Sequence, residues 1–484
     1  MKKLVVFILL FIGILDYTYS QDETHALMFS QFYNNGTVRY NSVAGSMGAL
    51  GGDFSSISSN PAGLGVYRKS EFSFTPSFYN NTSSSIFYNS KTSDSRYTIN
   101  IPQVGIVGAI DISSKEENKE WKFINFAMGY NRYNNFYENI YLDGFNSKSS
   151  MIQDFANKAN GYDVDNLDPF YSYLAYSTWL IDPDPDTNST NNQYIGKIPA
   201  NGVQQSKSIN KRGGIGETVF AIAGNYNNKV YIGGSIGIVN LRYIEESEYK
   251  EVNDNDTACD MQDFILYENL KTKGNGVNAK LGIIYKPYQW VRLGLSFHTP
   301  TFYSLSDEYS TSISSQVNEV VYDTSSAIGN YSYNITTPMK IISSIGFVIG
   351  KYGFISGEYE LINYSDARIR SNDYLYTTEN RAINNSFGTT NVYKVGGEIN
   401  IKPFAIRGGY AFYDSPYVNA TNKIGQRTSI SGGFGIREES YYIDFGYIYS
   451  NYKYNHYVYS PDLVNEALIE RSSGMFNITV GFKF

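Results

Sequence analysis

Six charged residues, Arg292, Glu358, Glu360, Glu398, Arg407 and Asp444, share the polar parity of stretches in which apolar and polar residues alternate. Successive side chains of a β-strand point to opposite faces, so these six face away from an apolar side. Charges of both signs on one face can pair and stiffen a sheet, or bind an inserted segment and the polar head of a ligand. Neither is covalent chemistry, and the residues that could perform covalent chemistry lack the context for it. "GGSIG" (233–237) has the Gly-x-Ser-x-Gly spacing of a hydrolase nucleophile. Yet Val230, Ile232, Gly234, Ile236 and Ile238 run one strand straight through the serine, without the sharp strand-to-helix turn such a nucleophile needs. The acidic run "NDNDTACD" (253–260) offers oxygen ligands for Ca²⁺ but lacks the glycine and terminal Glu of a known loop, and reads as solvated surface. His25, His298 and His456 are isolated, which leaves no ligand pair for a metal or haem. No nucleophile, base and orienting group can be assembled, so the sequence points to no enzyme and no cofactor.

The alternation that places the six charges recurs along the chain. Val291, Leu293, Leu295 and Phe297 oppose Arg292, Gly294 and Ser296, while Val395, Gly397, Ile399 and Ile401 oppose Lys394, Gly396, Glu398 and Asn400. Phe404, Ile406, Gly408, Tyr410 and Phe412 oppose Ala405, Arg407, Gly409 and Ala411; Tyr441, Ile443, Phe445, Tyr447 and Tyr449 oppose Tyr442, Asp444 and Gly446. In "SGMFNITVGFKF" (473–484) the pattern runs through Phe476, Ile478, Val480 and Phe482 to Phe484. A sandwich core does not account for so many aromatics on one face with glycines and charges on the other; a membrane barrel does. Short connections at "YNNKV", "KPYQW", "GKYGF", "KPF" and "REESY", with a looser one at "SSKEENKE", alternate with long Asn-, Ser-, Thr- and Tyr-rich segments. That is the layout of tight periplasmic turns and long surface loops. The pattern predicts about 14 strands, an even number that closes an antiparallel barrel. They fall at 69–80, 95–112, 120–131, 216–226, 229–246, 272–286, 290–305, 338–349, 353–368, 388–401, 404–414, 428–437, 440–453 and 473–484. The last strand must then pair with the first, because an open edge in lipid leaves backbone groups unsatisfied. The expected fold is all-β: a 14-stranded antiparallel transmembrane β-barrel with a small helical N-terminal hatch inside the lumen.

Composition agrees with an exported chain. Residues 1–20, with Lys2 and Lys3 before an apolar run from Leu4 to Leu15, read as a signal peptide cut after Ser20. No later stretch approaches the ~20 apolar residues of a membrane helix. The chain has 46 Tyr, 29 Phe and 43 Gly, and its net charge of -7 without a basic patch argues against nucleic acid. The lone Cys259 excludes an intrachain disulfide.

Residues 21–66 do not alternate, and about 45 residues are too few for a stable separate domain. "ETHALMFSQFY" reads as a short helix, and the segment is best housed in the barrel as a hatch; a periplasmic tail is the alternative. The barrel then spans 67–484, with its largest surface loop at 132–214. In that loop Met151, Ile152, Phe155, Ala159 and then Phe170, Leu174 and Ile181 have helical spacing, suited to capping an apolar ligand site or to packing on each other.

"GSMGALGGDFSSISSNPAGL" (45–64) resembles the N-terminal signature of the FadL/TodX family of outer-membrane hydrophobic-compound transporters. "LGLSFHTPTFYSL" (293–305) resembles its mid-barrel strand, although His298 and Thr299 stand where an Arg-Ser pair is common. "MIQDFANKANGYD" and "YSYLAYSTWLID" are similar to the Bacteroidetes-type variant of the family. The resemblance implies a 14-stranded barrel and a hatch that blocks the lumen, with Asn60, Pro61, Ala62 and Gly63 as hatch residues. It also implies capture of an apolar ligand, long-chain-fatty-acid-like, at the surface loops, followed by sideways release past the hatch through a gap at a kinked strand. The third strand is expected to supply the kink, where "MGYNRYNNF" (128–136) breaks alternation after Gly129. The partners expected are outer-membrane lipid and lipopolysaccharide, a hydrophobic small molecule, and the barrel-assembly machinery. By resemblance to outer-membrane proteins in general, that machinery reads Phe484. The chain is expected to act as a monomer in the Gram-negative outer membrane. The competing reading is a FadL-like barrel that docks or assembles protein partners in secretion or surface attachment, since fold does not fix function.

Overall fold

The structure, a computed structural model, describes residues 23–33, 35–113, 120–185, 192–253, 256–418, 420 and 423–484. The expected signal peptide and most of the "SSKEENKE" connection lie outside the described residues. No helix among the described residues is long and apolar enough to cross a membrane.

Fourteen antiparallel strands close into a barrel. The first six are β1 (Glu71–Phe87), β2 (Ser90–Asp111), β3 (Trp121–Asn135, resuming as Glu138–Asn146), β4 (Val203–Tyr226), β5 (Val230–Val252) and β6 (Met261–Tyr288). Three interrupted strands follow: β7 (Val291–His298 and Phe302–Val317), β8 (Val320–Ser325, Gly329–Thr336 and Lys340–Ile349) and β9 (Gly353–Asn363 and Arg368–Arg370). The wall is completed by β10 (Thr389–Ile401), β11 (Phe404–Tyr413), β12 (Arg427–Arg437), β13 (Tyr441–His456) and β14 (Ala467–Lys483). Closure is direct: β14 pairs with β1 from Lys483 opposite Glu71 to Leu468 opposite Ile86, which removes the sheet edge.

Alternation sorts the side chains by face. Phe126, Ile236, Leu281, Leu295, Ile406 and Phe476 point outward and are exposed, whereas Ser235, Lys280, Ser296, Arg407 and Asn477 point inward and are buried. The outer face is thus an apolar belt and the inner face is polar, the arrangement of a sheet solvated by lipid.

The strands run further than apolar alternation alone indicated. β1 and β2 continue through polar pairs to Phe87 opposite Ser90, where a two-residue turn replaces the loop expected between 80 and 95. β4 begins at Val203, β5 reaches Val252 and β6 begins at Met261. Serine-, threonine- and asparagine-rich rows hold the same backbone ladder as apolar rows, because the ladder is made by N–H and C=O groups that every one of these residues carries. The large connection expected at 132–214 is shorter for the same reason: β3 and β4 occupy both of its flanks, leaving 147–202 between them.

In that connection α3 (Met151–Ala159; the first helices among the described residues, α1, Glu23–Ser30, and α2, Val38–Ser42, belong to the N-terminal segment) and α4 (Ser172–Ser177) pack on each other. Ser150 caps α3 by accepting from Ile152 N at 3.0 Å, and the carboxylate of Glu251 on β5 accepts from Met151 N at 2.7 Å. Met151, Ile152, Phe155 and Leu174 join Phe87, Tyr249, Phe264 and Val317 in one buried cluster, so these helices cover the extended ends of the strands. Phe170 stays outside that cluster. In the acidic run, Asp256 closes a turn by accepting from the backbone N–H of Ala200 and of Ala258, which hold its carboxyl below the usual carboxylate range. Its neighbours 254 and 255 lie outside the described residues.

Two irregularities of the ladder bear on the interior. β3 shifts register against β4 between Arg132 and Asn134, a few residues beyond Gly129, and pauses before resuming at Glu138. β7 and β8 break side by side at Pro300 and Pro338, where proline has no N–H to give; Thr301 and Thr337 bridge the break through the Thr337 N to Thr301 O bond of 3.0 Å.

Candidate functional site

The N-terminal segment 23–66 lies inside the barrel, and its structure is built from short-range caps. Asp53 accepts from Ser55 N at 2.9 Å to start the 3₁₀ helix Phe54–Ser58, and accepts from Thr37 Oγ1 at 2.8 Å; Thr37 in turn accepts from Tyr40 N at 3.2 Å at the start of α2. Asn60 starts the 3₁₀ helix Pro61–Val66 by accepting from Ala62 N at 3.0 Å, with Pro61 at the first position, where no N–H is required.

These caps put Asn60, Pro61, Ala62 and Gly63 against the wall. All four are buried. Asn60 Nδ2 donates to Gly48 O at 2.8 Å and to Ile283 O of β6 at 3.2 Å, so one side chain caps a helix, crosslinks the segment and ties it to the barrel. A Cβ at Gly282 would overlap Asn60 Oδ1, and one at Gly233 would meet Pro61 O at 2.5 Å. The wall therefore carries glycine where the Asn-Pro stretch touches it. Ala62 packs with Tyr231 and Ile284. Three strands along the same wall Phe54 lies over Gly105 of β2 and Gly129 of β3, residues directly opposite each other in the ladder, and a Cβ on either would overlap its ring.

The six charges singled out in the sequence all face the interior, and five of them join ion pairs. Glu398 accepts from Arg39 Nε at 2.8 Å and Arg39 Nη2 at 3.1 Å, and from Arg407 Nε at 2.6 Å. Arg407 Nη1 donates to Asp444 at 2.9 Å, and Asp444 takes a further bond of 2.5 Å from Arg437. A second group joins Lys394 to Glu358 at 3.1 Å and to Glu360, which also meets Lys340 at 3.3 Å. Glu358 Oε2 accepts from Gly48 N at 2.9 Å. The sixth residue, Arg292, donates from Nη1 to Leu50 O at 2.6 Å. Within this set Arg292, Glu358 and Glu398 contact the segment directly, at Leu50, Gly48 and Arg39, and Glu360, Arg407 and Asp444 brace the wall.

Several partners in these networks were not picked out from the sequence. Lys394 stands on the same parity as Glu398, so alternation already placed it on the inner face. Lys280 pairs with Glu217 at 2.5 Å and donates to Tyr133 at 2.7 Å. His298 Nε2 lies 2.9 Å from Ser59 O of the segment. Arg39 carried no signal, because it sits on a five-residue helix without periodicity. Phe484 is 69% exposed on the outer face, and its N–H donates to Ser70 O at 3.0 Å beside the start of β1.

Two cavities beside this segment are small. One of about 30 Å³ lies among Phe32, Tyr133, Lys280, His298, Thr301 and Lys340; another of about 30 Å³ lies among Tyr33, Asn135, Arg427 and Arg471. A larger one of about 280 Å³ opens under the surface helices among His25, Phe170, Tyr171, Glu245, Glu268 and Tyr309. An apolar concavity of about 830 Å³ crosses β2 to β6 and is lined by Ile106, Phe126, Met128, Ile222, Leu281 and Phe484. Those six are outward-facing and exposed, so it is a groove in the belt and not a lumenal site. Among the described residues no group of three or more His, Cys, Asp or Glu is placed to hold a metal ion.

No protein-family model and no curated protein sequence matches the chain. Among solved structures it is similar to the P. putida toluene transporter TodX (11% identity, TM-score 0.53), with 94% of this chain and 99% of that chain covered. A Pseudomonas aeruginosa FadL homologue matches at 11% identity over 94% of this chain and 100% of that chain, with a TM-score of 0.54. The Ralstonia pickettii toluene transporter TbuX matches at 12% identity over 94% and 99%, with a TM-score of 0.52. At these identities the likeness speaks to architecture, and it extends over almost all of this chain: the chain has the barrel fold of the FadL and TodX proteins.

Proposed function

We propose that this protein sits in the outer membrane and takes up hydrophobic small molecules, with the N-terminal segment acting as a hatch. The observation that carries this reading is the bonding of residues 23–66 inside a closed barrel whose outer face is an apolar belt: Arg39, Gly48, Leu50, Ser59 and Asn60 each bond to the wall. A barrel filled in this way is poorly suited to a water channel, and an apolar solute gains little from such a channel in any case. In this reading long-chain-fatty-acid-like ligands enter beneath the surface helices, where the cavity of about 280 Å³ offers Phe170, Tyr171 and Tyr309. They leave sideways between β2 and β3. Support for that exit comes from three features of one seam. The β2–β3 pairing stops at Gln103 opposite Asn131; the Gly105–Gly129 pair is covered from inside by the ring of Phe54; and the apolar groove of the belt crosses the same strands.

Protein reconstituted in liposomes should speed internalisation of a fluorescent long-chain fatty acid over protein-free liposomes, and Phe54→Ala should change that rate while heat-modifiable, folded barrel is retained. A rate equal to that of protein-free liposomes overturns the reading.

One feature favours the second reading, a docking or assembly role: the lumen is crossed by buried ion pairs instead of a continuous apolar path. The surface loops also expose Trp179 and Leu375, and the end of β8 exposes Val321. Uptake at the background rate together with capture of a defined protein partner by the loops would favour docking.

A further inference from the structure

The outer face of the barrel holds a charged site just above the belt. On β5, β6 and β7 the last apolar row is Ile238, Val277 and Phe302, which pair with one another across the ladder. The next outward row is Asn240, Asn275 and Ser304, with Asn240 Nδ2 donating to Asn275 Oδ1 at 3.0 Å. The row above that puts Arg242 directly opposite Lys273, with Ser306 beyond.

Two cations facing each other across a ladder repel, and such pairs are disfavoured unless an anion lies between or above them. The neighbouring cations have protein partners: Lys271 meets Glu308 at 3.6 Å and Arg212 meets Glu246. Among the described residues no carboxylate forms an ion pair with Arg242 or Lys273, so four cations and two carboxylates leave a local excess of two positive charges. Arg242, Lys273, Asn275, Ser304 and Ser306 line an outward concavity of about 650 Å³. Two residues along a strand advance about 6.6 Å, so the charged row lies roughly two such steps above the last apolar one. On strands tilted by about 40° that is about 10 Å along the membrane normal, from which the long side chains of Arg242 and Lys273 reach down to the phosphates of an outer-leaflet lipid whose chains lie on the belt.

We propose that Arg242 and Lys273 bind the phosphate of an outer-leaflet lipid headgroup, held in this concavity with its acyl chains on Ile238, Val277 and Phe302. A phosphate between the two cations neutralises the cross-strand repulsion, and Arg242 supplies a planar fork that can bond two phosphate oxygens. The inference rests on the membrane-spanning reading of the barrel but not on uptake.

The test uses the full chain in detergent micelles doped with lipid A, a diphosphorylated glycolipid, with bound lipid counted by native mass spectrometry. Wild-type protein should retain lipid A, and the double variant Arg242→Gln with Lys273→Gln should bind it roughly tenfold or more weakly. The charge-preserving exchange Arg242→Lys with Lys273→Arg should retain most binding. Inorganic phosphate at equal concentration should neither bind nor compete. Equal lipid binding by the double variant overturns the proposal, and so does equal occupancy by inorganic phosphate, which would mark a soluble-anion site. Should the double variant yield no heat-modifiable barrel, the single variants are measured the same way, and undiminished binding in both overturns it. Fatty-acid uptake in liposomes separates the two readings: lost lipid A binding with intact uptake concerns this site, whereas uptake at background with intact lipid A binding concerns the hatch reading.

Discussion

Arg39, on the second described helix of the N-terminal segment, grips Glu398 of β10 with two nitrogens of its guanidinium, Nε at 2.8 Å and Nη2 at 3.1 Å. Glu398 is buried, and its other strong partner is Arg407 of the neighbouring strand. Removing the guanidinium leaves a carboxylate with half its compensation in a site closed to water. Arg39→Ala is expected to destabilise the seating of the segment by about 3–5 kcal/mol, more than Arg39→Lys, which keeps the charge and loses the two-point geometry. Planar-bilayer recordings should show higher ion conductance for Arg39→Ala than for wild type. A closed, wild-type-like trace with folded barrel would show that the pair does not hold the lumen shut.

Asn60 makes a cap and a crosslink with one amide. Asn60→Ala should cost about 1 kcal/mol for the lost cap and about 1 kcal/mol for the bond to Ile283 O. Barrel closure depends on the strand ladder, so heat-modifiable mobility on gels should persist while conductance or apolar-probe uptake changes. Pro61→Ala should act in the same direction but more weakly, since only rigidity is lost. Gly282→Val should reproduce the Asn60→Ala phenotype from the wall side, because the added side chain occupies the place of Asn60 Oδ1.

Lys394 is the shared cation of Glu358 and Glu360. Lys394→Met leaves two buried carboxylates to repel each other, with only Lys340 beside Glu360. Unfolding should be easier by about 3–5 kcal/mol, read as a lower temperature for the loss of heat-modifiable mobility. Adding Glu360→Gln to that variant should recover part of the loss, because one charge is then absent. No recovery would mean that the pair interacts only through Lys394.

Phe484 is exposed at the rim of the belt next to Ser70. An acidic residue near the membrane interface costs a barrel about 1 kcal/mol or less. If the assembly machinery reads this aromatic, Phe484→Asp should lower the yield of folded protein in the membrane fraction far beyond that cost. Normal yield would restrict the residue to a packing role.

Alternation alone determined the architecture. A strand exposes its two faces with a period of two, so Phe476, Ile478, Val480 and Phe482 against Asn477, Thr479 and Gly481 specify which side meets lipid, and the recurrence of that pattern specifies how many strands there are. The inward orientation of Arg292, Glu358, Glu360, Glu398, Arg407 and Asp444 was legible for the same reason. Parity does not state partners. That Arg39 reaches Glu398, that Lys280 reaches Glu217, and that Asn60 bonds a carbonyl of β6 depend on how residues 23–66 lie within the closed wall, and contacts between residues hundreds of positions apart leave no periodic trace in a single chain. The strand ends were equally hidden. Above the belt the outer face meets water, so serine, threonine and asparagine rows keep the ladder without the apolar signal that marked it elsewhere, and only the tertiary pairing of Ser83, Ser84 and Ser85 with Asp94, Ser93 and Thr92 decides that they are strand.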